Sequence, residues 1–252
     1  MRSYICFALI IAPALVWAQQ VGGNGQPSAV PPESGSTLTP EQRGDIFMAR
    51  KMYREAIETY KSADIKNPVI LNKIGIAYHQ SADLGSAKKH YERALKVKKD
   101  YSEAINNLGT VHYAQKSYRR AISQYRKALA IAPNSASIHS NLGTAYFARK
   151  QYQNAANEYE IALKLDPEVF EHRSAQGVLL QERTVEERAK FHYYLAKTYA
   201  KSGMVELSLS YIRKSLEGGF KEKKRFLEEA EFAEVRKHPD FELLMKLEPR
   251  VL

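Results

Sequence analysis

The sequence predicts an all-α protein built as a solenoid of short antiparallel helix pairs. Two observations support this prediction: a block of residues recurs at an interval of 34 positions, and small and aromatic residues keep fixed places within each block. The segment NLGTVHYAQKSYRRAISQYRKALAIAP at 107–133 is followed by NLGTAYFARKQYQNAANEYEIALKLDP at 141–167. One helix pair cannot bury its own apolar stripe, so neighbouring blocks must stack and share a continuous core.

Four positions define each block. A Gly stands twelve residues before an Ala, a Tyr follows that Ala by four residues, and a second Ala follows it by seven. Spacings of four and seven place the Tyr and both alanines on one helical face. We therefore expect Gly and Ala where two backbones approach closely, and the Tyr rings in the wider gaps between neighbouring pairs. The four sets are Gly44, Ala56, Tyr60, Ala63; Gly75, Ala87, Tyr91, Ala94; Gly109, Ala121, Tyr125, Ala128; and Gly143, Ala155, Tyr159, Ala162.

A proline follows most blocks, twelve residues after the first Ala, at Pro68, Pro133 and Pro167. We predict that each Pro ends the second helix of its pair and starts the turn to the next. The step from the first block to the second is 31 residues, and the loss falls between Ala63 and Gly75. We predict a tighter connection there.

This pattern resembles the tetratricopeptide repeat in its period, its small residues, its aromatic positions and its terminal Pro. The resemblance covers about residues 37–167, within which we place four repeats at 39–167. It implies a right-handed superhelix whose first helices line a concave groove and whose second helices face the convex side. Two features depart from the family: less bulky residues replace the usual early Trp, and His112 replaces a Tyr. The residues in place of Trp are Leu71, Ile105 and His139.

The N-terminal segment differs from the repeats. Residues 1–18 carry one charge, Arg2, and an apolar run from Ile5 to Trp17, followed by small residues, so we predict a signal peptide cleaved after Ala18. An uncleaved membrane anchor is the alternative. Residues 19–38 are rich in Gly, Pro, Ser and Gln, a composition that predicts a disordered tether. The protein is thus predicted to be exported, either to the periplasm or outside the cell. Its only cysteine, Cys6, lies in the signal segment, and no transmembrane segment is expected in the mature chain.

Two capping boxes mark predicted helix starts. Thr39 precedes Pro40 and is followed by Gln42, and Thr184 is followed three residues later by Glu187. An insert is predicted at 168–188, between the fourth repeat and the fifth. It could form an extra helical turn, a hairpin around 177–180 or a flap over the array.

A degenerate fifth repeat is predicted at 189–220, offset by 53 residues from the fourth. The residues at the corresponding positions are Ala196, Tyr199, Ser208, Ile212 and Ser215. A helical C-terminal cap is predicted at 221–252, because a terminal repeat needs a polar outer face. Its inward-facing residues are predicted to be Phe226, Phe232, Phe241 and Leu244.

Catalytic patterns are absent from the sequence. The seven histidines do not have the spacing of metal ligands, and there is neither a nucleophile elbow nor a phosphate-binding loop. His238-Pro239-Asp240 matches the tripeptide of J-domain cochaperones, but its place suggests only that Pro239 starts a short helix with Asp240 in its first turn. We predict a non-catalytic protein that uses no cofactor and no metal.

The family resemblance places the binding site in the concave groove, on the first helices of repeats two to four. Asn107 and Asn141 could pair with the main chain of a peptide ligand, or they could merely bridge neighbouring helices. Tyr113 and Phe147 offer flat apolar area of the kind found at binding hot spots. Only Lys73 is placed to clamp a terminal carboxylate, which disfavours that ligand class. The predicted groove residues are Asn72, Lys73, Ile76, His79, Asn106, Asn107, Thr110, Tyr113, Ser140, Asn141, Thr144 and Phe147.

The formal net charge of +10 suggests a second hypothesis. Basic clusters on the second helices could attract an anionic envelope polymer, whereas export argues against a nucleic-acid partner. Our first hypothesis remains an interaction scaffold or adaptor for a protein or peptide of unknown identity, and an accessory subunit of an envelope enzyme complex is a further possibility. The clusters are Lys88, Lys89, Arg93, Lys96, Lys98 and Lys99, and Arg119, Arg120, Arg126 and Lys127.

Overall fold

The computed structural model describes residues 38–171 and 184–247, and every regular element within them is helical. The predicted signal peptide at 1–18, nearly all of the predicted tether and residues 172–183 of the insert lie outside the described residues. No helix within the described ranges combines the length and the apolar character that a bilayer span requires.

Ten helices form five consecutive antiparallel pairs, which confirms the predicted solenoid architecture. The second helix of each pair packs on the first helix of the next pair, and α5 also contacts the first helices α3 and α7 on either side of it. The pairs are α1 (Pro40–Ala49) with α2 (Tyr53–Lys61), α3 (Pro68–Gln80) with α4 (Leu84–Val97), α5 (Ser102–Ala114) with α6 (Tyr118–Ile131), α7 (Ala136–Ala148) with α8 (Tyr152–Leu165), and α9 (Val185–Lys201) with α10 (Val205–Glu217).

Both predicted capping boxes are present. The backbone N–H of Gln42 donates to Thr39 Oγ1 at 3.1 Å, and the Thr39 N–H donates to Gln42 Oε1 at 2.9 Å. The same reciprocal pair joins Thr184 and Glu187 at the start of α9. These bonds satisfy backbone donors that the first helical turn leaves without a partner.

The repeat Tyr residues are fully buried, but their position differs from the prediction. Each ring lies on the Gly of its own helix pair, so that a Cβ added to Gly109 would come within 2.6 Å of the Tyr125 ring. The rings therefore fill the space within a pair, where the absent Gly side chain makes room, rather than only the gap between pairs. Tyr159 does both, because it also meets Phe170 and Phe191 edge-on.

The helices of each pair are joined by a three-residue turn whose central residue has a positive φ. Four of these five residues are not glycine, and only Gly203 lacks the steric penalty of that conformation. Three of them are lysines with exposed side chains. The five central residues are Lys51, Ala82, Lys116, Lys150 and Gly203.

The predicted tight connection between the first two repeats is wrong. The missing residues come from α2, which has nine residues where α4, α6 and α8 each have fourteen. The connection 62–67 is in fact longer than the corresponding segments 98–101 and 132–135. Pro68 also departs from the prediction, since it is the first residue of α3, capped by Asn67, and does not end α2. Its missing N–H costs nothing at that position.

Serines replace the alanines of the fifth pair and bond to the facing helix. Ser208 Oγ donates to the carbonyl oxygen of Ala196 at 2.9 Å, and Ser215 Oγ donates to that of Ala189 at 2.8 Å. A hydroxyl therefore fits in the close helix contact because a backbone carbonyl accepts its hydrogen.

The C-terminal cap contains α11 (Lys224–Glu228), two 3₁₀ turns (Ala230–Phe232 and Val235–Lys237) and α12 (Pro239–Met245). All four predicted inward-facing residues are buried, which confirms that part of the prediction. Pro239 begins α12 and Asp240 lies in its first turn, as predicted. An ion-pair network attaches the cap to α9, with Glu229 bound by both Arg225 (2.7 Å) and Lys197 (3.1 Å).

Stability should depend on pH through His192, which packs against Phe191 and Tyr211 in the fifth pair. Burial lowers the pKa of His192 to about 4, and the charges of Lys214 and Arg188 also lower it. The unfolded value is near 6.5, so stability is full above that pH and is lost as the pH falls toward 4. We expect the free energy of unfolding to drop by about 2 kcal/mol from pH 7 to pH 5 through this group.

Urea unfolding of the wild type and of His192→Leu at the two pH values measures this contribution. Burial also lowers the pKa of His79, His90 and His112, so the variant should keep part of the pH dependence. An equal loss of stability in both proteins would show that His192 is not responsible.

Candidate partner-binding surface

The predicted groove asparagines form hydrogen-bonded pairs, here called rungs, between successive first helices. Asn107 Nδ2 donates to Asn72 Oδ1 at 3.0 Å, and Asn141 Nδ2 donates to Asn106 Oδ1 at 3.0 Å, each pair being 35 residues apart. A weaker bond from Asn106 Nδ2 to Asn107 Oδ1, at 3.4 Å, joins the two rungs. The four amides therefore make one continuous chain across α3, α5 and α7.

Lys73 makes the equivalent rung one repeat earlier, with charges in place of amides. It occupies the position of Asn107 and Asn141, and its ammonium lies 2.7 Å from Glu41, which occupies the position of Asn72. Asp45 also binds Lys73, at 2.8 Å. The cation that could have clamped a carboxylate ligand is thus already paired within the chain.

The rungs leave little of the amides exposed. Each of the four asparagines exposes 4% or less of its surface, and buried amides of this kind need their hydrogen bonds. Of the two roles that the sequence left open for Asn107 and Asn141, the structure shows the bridging one directly.

The remaining first-helix residues lie next to the rungs. Thr110 Oγ1 lies 3.4 Å from His79 Nδ1 and donates to the Asn107 carbonyl at 2.7 Å. Thr144 Oγ1 donates to the carbonyl of Ser140 at 2.9 Å. Burial lowers the pKa of His79, which favours its neutral ring near pH 7.

Tyr113 and Phe147 lie at the C-terminal ends of α5 and α7, where they line an aromatic recess of about 350 Å³. The recess is formed by the ends of α5 and α7, the turns that follow them, the first residues of α6 and α8, and the start of α9. Tyr113 meets Tyr118 at 5.2 Å between ring centroids, and Phe147 meets Tyr152 at 5.3 Å. Its lining residues are Tyr113, Lys116, Tyr118, Phe147, Ala148, Lys150, Tyr152, Thr184, Glu186, Glu187 and Lys190.

The charges around the recess are arranged by the turn geometry. Lys116 and Lys150 are the positive-φ residues of their turns, and Lys190 Nζ lies 4.3 Å from the centre of the Tyr152 ring. Glu186 and Glu187, in the first turn of α9, also line the recess. The recess therefore combines aromatic faces with three ammonium groups and two carboxylates.

Sequence reasoning found Tyr113 and Phe147 but missed the other residues of the recess. The available indication was a Lys-x-Tyr tripeptide that recurs at one position of the repeat, where it begins at Lys51, Lys116 and Lys150. It places a lysine at the turn and a tyrosine at the start of the next helix. The two groups of predicted residues, rungs and recess, lie at different places along the first helices.

Potential metal ligands are not clustered in the described part of the chain. Within residues 38–171 and 184–247, no three His, Cys, Asp or Glu side chains come close enough to share an ion.

Five stacked helix pairs, each with a three-residue turn and the first four with a Gly–Tyr contact, define an α-solenoid of helix-pair repeats. Family models described as tetratricopeptide repeat match residues 69–101 and 136–169, and one described as TPR repeat matches residues 110–148. The chain therefore contains tetratricopeptide repeats within residues 69–169.

Two solved structures are among those similar to this chain. PilF from Pseudomonas aeruginosa aligns with a TM-score of 0.52 at 18% identity, over 75% of this chain and 78% of that chain. MamA from Desulfovibrio magneticus RS-1 aligns with a TM-score of 0.48 at 21% identity, over 71% of this chain and 92% of that chain. The likeness to PilF concerns the fold. Among curated proteins, no sequence matches this chain significantly.

Proposed function

We propose that this protein is a non-catalytic interaction scaffold that is exported to the cell envelope and holds a peptide or protein partner along the first-helix face of repeats two to four. The observation that carries the proposal is the aromatic recess, where Tyr113 and Phe147 meet Tyr118 and Tyr152. Concave sites that combine aromatic faces with a few charged groups are typical of recognition surfaces.

The rungs give this surface a fixed geometry. Because the Asn72–Asn107 and Asn106–Asn141 bonds hold successive first helices in register, the groove is set before a partner arrives. A preformed surface binds more tightly than one that must be ordered on binding. In this proposal the partner contacts the half-buried residues beside the rungs, such as His79 and Ser140, and its end enters the recess.

Export is supported by the N-terminal sequence alone. The proposal predicts that the mature chain begins at Gln19, which N-terminal sequencing of the protein from cells would show. A chain that keeps Met1 in the membrane fraction would indicate an anchored scaffold.

Matched double variants test the binding surface. Lys116→Glu/Tyr118→Ala changes the recess, while Lys51→Glu/Tyr53→Ala makes the same two changes at the equivalent positions of the first repeat. After crosslinking in intact cells, mass spectrometry should find a dominant partner with the wild type and the first-repeat variant. The recess variant should retain about tenfold less of it, as expected when one central hot spot is lost.

Both variants must show wild-type helicity by circular dichroism, so that a difference in partner capture does not reflect a loss of folding. If the recess variant captures the partner as well as the wild type does, the recess assignment is wrong. Equal loss in both variants would mean that the partner is bound elsewhere on the array.

The hypothesis of an anionic envelope polymer draws less support from the first basic cluster. Acidic residues interrupt it, and Lys88 pairs with Glu92 at 3.8 Å on the surface of α4. An accessory role in an envelope enzyme complex differs from our proposal only in the identity of the partner.

A further inference from the structure

One face of α6 forms an open, basic depression of about 510 Å³ that is separate from the recess. Its α6 residues are spaced by three or four positions, so they follow one side of the helix along its whole length. Arg149, at the C-terminal end of α7, completes the lining. The lining residues are Arg119, Ile122, Ser123, Arg126, Lys127, Ala130 and Arg149.

The four cations of the depression have no carboxylate partner within the described residues. Arg126 instead donates to Tyr146 Oη at 2.5 Å and lies 5.7 Å from the centre of that ring. Arg149 makes a long bond, 3.4 Å, to Gln151 Oε1. Neutral oxygens thus hold two of the guanidinium groups in place while their charge remains uncompensated.

Comparison with the second and fourth repeats shows that the charge pattern of the third repeat differs from that of its two neighbours. Arg126 stands where the second and fourth repeats have Glu92 and Glu160. Glu92 pairs with Lys88, and Glu160 pairs with Lys164 at 3.0 Å and Lys201 at 2.6 Å. Where its neighbours have a paired acid, the third repeat therefore has an additional cation.

The surrounding sequence also lacks acids. From residue 104 to residue 157 there is no Asp or Glu, while there are seven Lys and Arg residues. A region of one sign without interspersed opposite charge raises the local concentration of multivalent anions.

We propose that this depression binds a ligand with clustered phosphate groups. Guanidinium groups present paired N–H donors that match phosphate oxygens, and a phosphoryl group concentrates up to two charges and three acceptors. Arg119, Arg126 and Lys127 span about 12 Å of the α6 axis, which suits several linked phosphates better than a single one. A soluble polyphosphorylated molecule and the phosphate headgroups of a lipid surface share this chemistry.

Calorimetric titration with tripolyphosphate at about 0.15 M salt tests the site, because non-specific attraction is largely screened there. We expect saturable binding to the wild type and a loss of roughly tenfold or more in affinity for Arg119→Gln/Arg126→Gln. The matched control, Lys88→Gln/Lys89→Gln, removes the same charge from α4 and should change the affinity less than about twofold. Equal losses in the two variants would overturn a discrete site in favour of diffuse attraction, and so would the absence of saturable binding.

A second variant controls for a folding defect in the double variant. Arg126→Gln also removes the bond to Tyr146, whereas Arg119→Gln alone introduces the residue that the fourth repeat already has at that position, Gln153. The single variant should keep the wild-type melting temperature and still bind tripolyphosphate about threefold more weakly. Wild-type affinity in that variant would contradict the site.

Further titrations identify the source of the phosphate. Co-sedimentation with phosphatidic acid vesicles but not with phosphatidylcholine vesicles, lost in the Arg119/Arg126 variant, would assign a lipid headgroup. Tripolyphosphate binding without vesicle binding would assign a soluble ligand. Tighter binding of a Glu-rich peptide than of tripolyphosphate would overturn the phosphate assignment. The recess variant Lys116→Glu/Tyr118→Ala should bind tripolyphosphate within about threefold of the wild type, so this proposal and the groove proposal can fail separately.

Discussion

Tyr125→Ala should lower the free energy of unfolding by about 3–5 kcal/mol, the largest effect we expect from a single side chain of the array. The Tyr125 ring is fully buried and covers the backbone of Gly109. Removing it leaves a cavity that the helix pair cannot close, because the neighbouring side chains are already packed on both sides. The third repeat should therefore become the least stable repeat of the array.

The hydroxyl of Tyr125 provides the matched control. Tyr125 Oη is buried and has no hydrogen-bond partner in the described part of the chain, while Tyr60 Oη donates to Asp45 at 2.7 Å. Tyr125→Phe should be neutral or stabilising by up to about 1 kcal/mol, and Tyr60→Phe should be destabilising by a similar amount. Urea unfolding followed by circular dichroism, with hydrogen exchange to locate the repeat that opens first, measures all three variants. If Tyr125→Phe costs as much as Tyr125→Ala, the ring packing described above is not the source of the stability.

Local interactions explain which parts of the fold the sequence predicts well. The capping boxes at Thr39 and Thr184 join residues three apart, and the helix faces depend on spacings of three, four and seven. The prediction for Tyr125 was less complete, because its contact with Gly109 spans sixteen residues and two different helices. The shortened α2 could not be predicted either. A deletion in the helix and a deletion in the connection give the same 31-residue step between repeats.

Interactions between repeats explain most of what the sequence left open in the candidate site. The amide of Asn107 can serve a ligand or a neighbouring helix, and only the 3.0 Å distance to Asn72 distinguishes the two roles. The recess brings together the ends of three different repeats, so its extent was not visible in any single one. The basic depression could have been predicted, because an alignment of the third repeat with its two neighbours places Arg126 at the position of Glu92 and Glu160.

Asn107→Ala should cost about 2 kcal/mol of stability, because it removes the donor to Asn72 and the acceptor for Asn106 from a buried site. Asn72→Ala should cost less, since it breaks one of these two bonds. In a double-mutant cycle the loss of stability in the double variant should be about 1 kcal/mol smaller than the sum of the two single-variant losses. That difference is the coupling energy across the rung. Lys73→Met, at the charged and more exposed rung to Glu41, should lower stability by less than about 1 kcal/mol.

The cycle also decides what the groove asparagines do for the function. A strong coupling between Asn72 and Asn107 means that these amides hold the first helices in register, and that a partner is recognised by the residues beside them. Any loss of partner capture in Asn107→Ala must then be compared with that of a variant destabilised away from these amides, such as Tyr60→Phe, which loses the bond to Asp45. If Asn107→Ala keeps full stability and yet loses its partner, the amide contacts the ligand directly, and the rung forms only when the groove is empty.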